Sequence, residues 1–437
     1  MKSKVFEFIK KEKKRQEETL SMIPSENYTY PEVLSAVGSI FISKYAENQP
    51  GSRYYQGMEH VDDLERYCES LALEVFGLSD KKWAVNVQAY SGTPANLAVF
   101  NAFLDPGDRI MAMFLPDGGH LSHGWEYKGN KITFTSKIYN ISFYHVDQKT
   151  KVLDYEQIKK AAKKIKPKII VSGGTAYPRE INHAKMGNIA KSVGAYYLAD
   201  ISHEAGLVAG KVNKSPFSYA DAVTMTTHKT LRGPRGALVF VRSEFGEVLD
   251  RSIFPGIQGG PHMHTIAGIA VTLEKAKTAN FKKYAKQVVE NAKRLADNLK
   301  KDGFEVVSGG TQKHLVLVDL RNKKVNGWFA AWALEVSGII VNRNTVPYDT
   351  GSPYYPSGIR LGTPGITARG MKAKEMDKIS DWISQVVEHL DERHVPDEKE
   401  KRGKVLKDFK VDIKNDNFYK KIREDVRELC IKYPISN

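Results

Sequence analysis

Residues 221–242 read DAVTMTTHKTLRGPRGALVFVR. An apolar run leads into Thr227, His228 and Lys229. Two arginines, Arg232 and Arg235, and the turn formers Gly233, Pro234 and Gly236 follow, and then a second apolar run, GALVFVR. The segment reads as a buried strand, a turn carrying a lysine, and a returning strand. A lysine at a strand end pointing into a cleft differs from one that merely solvates a surface. Partial desolvation and a neighbouring cation lower its pKa and free the amine for covalent work.

Upstream, strands and helices alternate from about 80 to 245. KWAVNVQAYSG, RIMAMF, KIIVSGG and AYYLADISH read as strands; PANLAVFNAFLD and KMGNIAKSVG read as helices, the second closed by Gly194. Such alternation predicts an α/β fold with a mostly parallel sheet covered by helices on both faces. One long helix is expected over about 266–301. FEVVSGG, HLVLVDL and GIIVNRN then suggest a smaller C-terminal α+β domain, and the last fifty residues read as charged and mostly helical. The expected division is an N-terminal arm at 1–30, a large domain at 31–280 and a small domain at 281–437.

In an open parallel sheet, function gathers in the turns after the strands' carboxyl ends. Three such turns carry chemistry here. Ser91, Gly92 and Thr93 precede Pro94 at a helix start, a ready anion site, although ordinary N-capping explains that turn taken alone. Asp200 ends one strand, with His203 close behind. Lys229 follows 29 positions later. A phosphate turn, a strand-end carboxylate and a strand-end lysine, in that order, match the layout of pyridoxal 5′-phosphate (PLP) enzymes. In these a carboxylate holds the pyridine nitrogen protonated so that the ring acts as an electron sink. His203 has no Cys or second His at zinc spacing, so no metal is expected.

Bulk properties narrow the classes. Among 437 residues, 66 are basic and 51 acidic, a net charge of +15. Such a surface attracts polyanions, but no nucleic-acid recognition motif or basic–aromatic stripe accompanies it. There are two cysteines, too few for a disulfide framework and in keeping with a reducing cytosol. The first residues lack the apolar core of a secretory signal, and no run approaches membrane-spanning length. A cytoplasmic location is expected. Abundant Lys and Glu with scarce thiols resemble thermophile composition.

Long motifs add a resemblance. PSENYT (24–29), KYAENQPGSRYYQG (44–57), SGTPAN (91–96), GGHLSHG (118–124), GGTAYPR (173–179), ADISHEAGLVAG (199–210), TTHKTLRGPRG (226–236), FPGIQGGPHMHTIAG (254–268) and SGIRLGTPGITARG (357–370) resemble those of serine hydroxymethyltransferases. These are PLP enzymes of the type I transferase fold, and nearly the whole chain is covered. The resemblance implies PLP carried covalently on Lys229, with Asp200 on the ring nitrogen and His120 against the ring face. Thr175, His203 and Arg235 lie around the ring, and Ser91, Gly92 and Thr93 hold the phosphate. Gly259 and Gly260 reach the phosphate from a neighbouring subunit. Ser25, Tyr45 and Arg360 meet the amino-acid carboxylate. Glu47 moves a proton at the serine hydroxymethyl group, and Tyr54 and Tyr55 also come across a homodimer interface. His228 shapes the substrate or phosphate side, sent by strand alternation to the face opposite Lys229. Glu47, Leu115, Gly119, Leu121, Asn344, Ser352, Pro353 and Tyr354 border the pterin. The implied reaction converts serine and a tetrahydropterin into glycine and the methylene-pterin.

Some segments depart from the family wording. Tyr90 stands where a histidine is expected and Asn182 where an aspartate is expected; GWEYKGNKITFTS (124–136) and SPYY (352–355) also differ. With the thermophile-like composition, these departures open tetrahydromethanopterin, the carrier of an archaeal form, as an alternative to tetrahydrofolate. A pterin-independent aldolase acting on 3-hydroxy amino acids shares the Lys229 and Asp200 chemistry and stands as a second reading, or as a side activity.

Overall fold

Seven strands form the central sheet of a computed structural model, which describes residues 3–436. In spatial order they are Trp83–Asn86, Ala237–Arg242, Ala222–Thr226, Tyr196–Asp200, Ile169–Gly173, Arg109–Met113 and Asn140–Tyr144. The last five named run parallel to one another, while Ala237–Arg242 is antiparallel to both of its neighbours. The sheet is therefore mostly parallel, as the alternating pattern predicts. Its central strands are buried along their length, as strands covered on both faces must be. The strand Asn140–Tyr144 is an addition to the sequence reading. Its residues NISFY are half-buried at the sheet edge, and that weakens the apolar signal.

This sheet belongs to a compact unit spanning residues 29–286. Phe100, Val99, Ile110, Val171, Leu198 and Val239 are among the side chains of its core. The expected long helix is two helices, Met263–Ala276 and Ala279–Lys301. The first ends at a C-cap on Lys277, and Thr278 caps the next turn by accepting from the Phe281 N–H with its hydroxyl. Both segments are amphipathic, so periodicity alone runs straight through the break.

The second unit comprises residues 3–28 with 287–436. Its four-stranded sheet has the order Glu305–Val306, Leu315–Asp319, Gly358–Gly362 and Asn342–Asn344, all pairs antiparallel. The stretch GIIVNRN divides between two sheets. Ile339–Ile340 pairs in parallel with Leu20–Ser21, and Asn342–Asn344 pairs with Gly358–Gly362. The N-terminal helix Lys4–Glu17 is thus followed by a strand that is part of this unit. Arg369 ties it further, donating to the carbonyls of Thr19 (2.9 Å), Glu17 (3.0 Å) and Cys430 (2.8 Å). The charged C-terminus forms the helices Ala373–Glu388, Lys399–Asn415 and Asn417–Lys432.

Candidate active site

The site is built at the carboxyl ends of the two central strands. In register, Asp200 stands beside Thr224, so the turns after Tyr196–Asp200 and Ala222–Thr226 lie next to each other. Ser202 Oγ accepts from the Thr226 N–H (3.2 Å), and Thr230 Oγ1 donates to the His203 carbonyl (3.0 Å) while accepting from the Gly206 N–H (2.9 Å). These bonds clamp the Asp200 and Lys229 turns together. Lys229 itself is only 8% exposed. A buried amine on a strand-end turn suits a group that forms a covalent bond.

Asp200 is the electrostatic centre. Oδ2 accepts from Asn96 Nδ2 (2.8 Å) and from His123 Nε2 (3.0 Å), and Oδ1 accepts from the Ser202 N–H (2.9 Å). Burial pushes the carboxyl up, yet the bond to His123, the charge of His123 and His120, and the Ser202 side chain outweigh it and hold Asp200 well below the usual carboxylate range. The network runs further. Thr224 Oγ1 donates to Asn96 Oδ1 (2.6 Å), Asn96 Nδ2 also reaches Ser122 Oγ (2.9 Å), and Ser122 Oγ lies 2.7 Å from His120 Nδ1. His123 Nδ1 is buried and has no partner. Asn96 and His123 are absent from the sequence reading. Both lie inside quoted motifs, SGTPAN and GGHLSHG, and the available signal was a polar residue among buried neighbours.

Ser91 caps the helix Gly92–Phe103 in an extended conformation, and its hydroxyl makes no capping bond. The hydroxyl and the first N–H groups are left for an anion. A Cβ at Gly92 would stand 2.7 Å from Thr226 Cγ2 and 3.7 Å from Ser202 Oγ, so the turn packs directly onto the strand end that leads to Lys229. Thr175 is positioned by its N–H, which donates to the Gly118 carbonyl (2.7 Å). A buried ionised carboxylate, a buried lysine and an open helix terminus in one strand-end cluster fit the three polar features of PLP: ring nitrogen, aldehyde and phosphate. Among the described residues no three His, Cys, Asp or Glu side chains are placed to hold a metal.

The lysine turn differs from its reading in one respect. The strand stops at Thr226, so alternation does not govern His228 and Lys229. They occupy a bend instead. His228 is half-buried, its Nδ1 without a partner. Burial first, then the charges of Lys229 and Arg235, lower its pKa to about 3. Arg235 is exposed. Arg232, which had no assigned part, takes a left-handed backbone (φ 67°) and lies between two rings, 4.2 Å from Tyr30 and 5.1 Å from Tyr284. Thr29 Oγ1 donates to its carbonyl (2.6 Å). Arg232 therefore braces the far side of the turn that carries Lys229.

A second cluster gathers Tyr45, Glu47, Tyr55, Gly259 and Gly260. Tyr55 Oη donates to Glu47 Oε2 (2.6 Å), and this bond raises the phenol to about 12. The rings of Tyr45 and Tyr55 meet edge-on at 5.5 Å. A Cβ on Gly260 would meet Glu47 Cγ at 3.2 Å. Tyr45 and Tyr54 are 59% and 64% exposed in the single chain. Buried Arg53 anchors this segment from beneath, donating to the Ala46 carbonyl (2.8 Å), Asp62 (2.9 Å) and Glu65. Tyr90, the departure before the phosphate turn, stacks on His262 (4.3 Å, 9°) and donates to the Gly260 carbonyl (2.6 Å). Asn182, the other departure, caps its helix by accepting from the Lys185 N–H.

The remaining candidates divide between the units. Leu115 begins a short 3₁₀ turn, Gly119 is buried and Leu121 is exposed. In the unit of residues 3–28 and 287–436, Arg360 is buried on the strand Gly358–Gly362 and donates to Asn342 Oδ1 (3.2 Å). Burial lowers its pKa to about 10, so it remains charged at neutral pH. Ser25 is half-buried, Asn344 donates to the Thr345 carbonyl (2.7 Å), and Ser352, Pro353 and Tyr354 form an exposed tip.

Comparisons with known proteins point to one family. Residues 1–383 match the family model described as serine hydroxymethyltransferase. A serine hydroxymethyltransferase of Desulfotalea psychrophila is 47% identical over 430 residues, covering 98% of this chain and 93% of that protein. A mitochondrial serine hydroxymethyltransferase of Candida glabrata is 42% identical, covering 99% of this chain and 92% of its own. A serine hydroxymethyltransferase of Caenorhabditis elegans is also 42% identical, covering 99% and 87%.

Proposed function

The chain belongs to the serine hydroxymethyltransferase family, and from that premise we propose how its own residues divide the work. The enzyme interconverts serine and glycine, uses PLP bound at a lysine, and takes a tetrahydrofolate-type pterin as co-substrate. When bound, the cofactor ring serves as an electron sink for the amino acid's α-carbon.

Lys229 supplies the anchoring amine. Asp200, kept ionised, holds the proton at the ring nitrogen. His120, Thr175, His203 and Arg235 would surround the ring. Ser91, Gly92 and Thr93 hold the phosphate through N–H and O–H donors, joined by Gly259 and Gly260 of a neighbouring subunit. Arg360, with Ser25 and Tyr45, binds the amino-acid carboxylate; a planar bidentate fork suits a carboxylate better than an ammonium does. Glu47 gives and takes the proton at the serine hydroxyl, steadied by Tyr55. His228, neutral at working pH, shapes the substrate side. The pterin is bordered by Glu47, Leu115, Gly119, Leu121, Asn344, Ser352, Pro353 and Tyr354. Exposure of Tyr45, Tyr54 and Ile40 (87%) on the single chain supports a homodimer in which each site borrows residues from its neighbour.

No helix among the described residues is long and apolar enough to cross a membrane; a cytoplasmic location is our reading. Aldol cleavage of 3-hydroxy amino acids without pterin is the expected side reaction, because it needs the same lysine and carboxylate. The departures at 124–136 and 352–355 support tetrahydromethanopterin as an alternative carrier. Serine-to-glycine rates measured with each carrier decide the matter, and equal or better use of tetrahydrofolate removes the alternative.

The observation that carries the assignment is the buried, ionised Asp200 clamped beside the Lys229 turn. Purified protein given PLP should absorb in the visible range. Lys229→Ala should lose the covalent form and Asp200→Asn the activity. A protein that stays colourless overturns the assignment.

A further inference from the structure

Within the unit formed by residues 3–28 and 287–436 lies a recess of about 590 Å³. That size suits a small organic molecule. Trp332 and Val336, one turn apart on the helix Gly327–Val336, line it together with Ile340 from the strand Ile339–Ile340. All three are half-buried, so apolar surface is presented inside the recess. Buried Thr19 also lines it, its hydroxyl already donating to the Arg15 carbonyl (2.7 Å).

Cations line the recess as well. Lys414 comes from the helix Lys399–Asn415, and Lys420 and Arg423 from the helix Asn417–Lys432. Among the described residues the Lys414 side chain has no hydrogen-bond or ion-pair partner. Lys420 Nζ reaches only the Asn415 carbonyl (2.9 Å) and Asn417 Oδ1 (3.4 Å), and Arg423 only the Val336 carbonyl (3.4 Å). Among the described residues none of the three forms a salt bridge with a carboxylate, and Lys420 acts on Asp416 only at longer range. Arg15, on the same rim, is already answered by Glu12 (2.6 and 2.9 Å). Lys410 adds a further charge to the apolar side, 3.8 Å above the Trp332 ring. Two carboxylates, Glu26 and Glu335, complete the lining, and Glu26 accepts from the Ser21 hydroxyl (2.7 Å).

Three cations without a salt bridge, in one recess with two carboxylates and with aromatic and aliphatic side chains, select a particular kind of molecule. A purely apolar ligand would leave the cations without a partner, and a bare inorganic anion would leave the apolar wall wet. Both helices of the cationic wall lie beyond residues 1–383, the span that matches the family model. None of the residues that line the recess is among those assigned above to the serine–glycine chemistry.

We propose that this recess binds a small organic anion: a phosphate or carboxylate head on Lys414, Lys420 and Arg423, and an apolar ring or chain against Trp332, Val336 and Ile340. The test uses holoenzyme saturated with PLP, so that the phosphate turn is filled, and calorimetric titration with phenyl phosphate, inorganic phosphate and phenol. Phenyl phosphate should bind one per chain, about tenfold tighter than either fragment. Lys414→Glu with Arg423→Glu should weaken it at least about tenfold by reversing two of the charges. Basal serine–glycine turnover and the cofactor's absorbance should stay unchanged. Fragments that bind as tightly as phenyl phosphate, or undiminished binding to the double variant, overturn the proposal. Should the double variant fail to fold, Lys414→Gln alters an exposed side chain without partners, and unchanged affinity there overturns the proposal equally.

Discussion

His123 Nε2 lies 3.0 Å from Asp200 Oδ2, with side-chain exposures of 1% and 6%. The two residues are 77 positions apart in the chain. Because Asp200 is ionised, the ring must donate from Nε2, and this leaves Nδ1 buried and unpartnered. His123 thus orients the carboxylate and helps to keep its charge. Replacing it by Ala removes a buried charged hydrogen bond, of order 1–3 kcal/mol. PLP affinity should fall about tenfold to a hundredfold in a titration followed by absorbance. An unchanged affinity would show that Asn96 and Ser202 suffice.

The pH dependence of stability should carry a signature of His228. Its pKa falls from 6.5 to about 3 on folding. Between those values the unfolded chain holds a proton that the folded chain refuses, so stability rises with pH across this window and is lost as pH falls towards 3. His228→Gln in the cofactor-free protein should flatten the dependence of unfolding free energy on pH, by at most about 1.4 kcal/mol per pH unit. Urea denaturation at a series of pH values reads this directly.

Glu47 and Tyr55 should separate chemistry from cofactor binding. Glu47→Gln keeps the shape of the side chain but cannot exchange the proton. Turnover of serine should drop by about 10²- to 10⁴-fold while the PLP spectrum is unaffected. Tyr55→Phe loses only the 2.6 Å bond to Glu47, so its effect should be smaller and should nearly vanish in the Glu47→Gln background. A double-mutant cycle on kcat measures that coupling.

Gly206 provides a stability test. A Cβ there would collide with the Thr230 carbonyl and approach the Leu231 nitrogen at 2.8 Å, on the clamp between the Asp200 and Lys229 turns. Gly206→Ala should destabilise by about 1–3 kcal/mol, seen as a lower urea midpoint. PLP binding should weaken in parallel, since the same collision moves the lysine turn.

Reading the chain in order located much of this site. Strand alternation predicted the parallel sheet, and the turns after its strands held Ser91, Asp200 and Lys229, because a buried strand must end in a polar turn. Other features were invisible for definite reasons. The break at Lys277–Thr278 leaves the apolar period undisturbed. The strand Gly358–Gly362, which carries Arg360, is flanked by glycines that read as loop. His228 lies two residues beyond the end of its strand, where alternation no longer holds.

The linear order of residues was enough for the fold class and for the chemical types at the strand ends, since both follow from local periodicity and turn composition. It held no information on which distant side chains meet. That His123 and Asn96 converge on Asp200, that Tyr30 and Tyr284 sandwich Arg232, and that Lys414, Arg423 and Trp332 line one recess all depend on strand order and helix packing. Those pairings join residues tens to about two hundred positions apart, and only the folding of distant segments against one another brings them together.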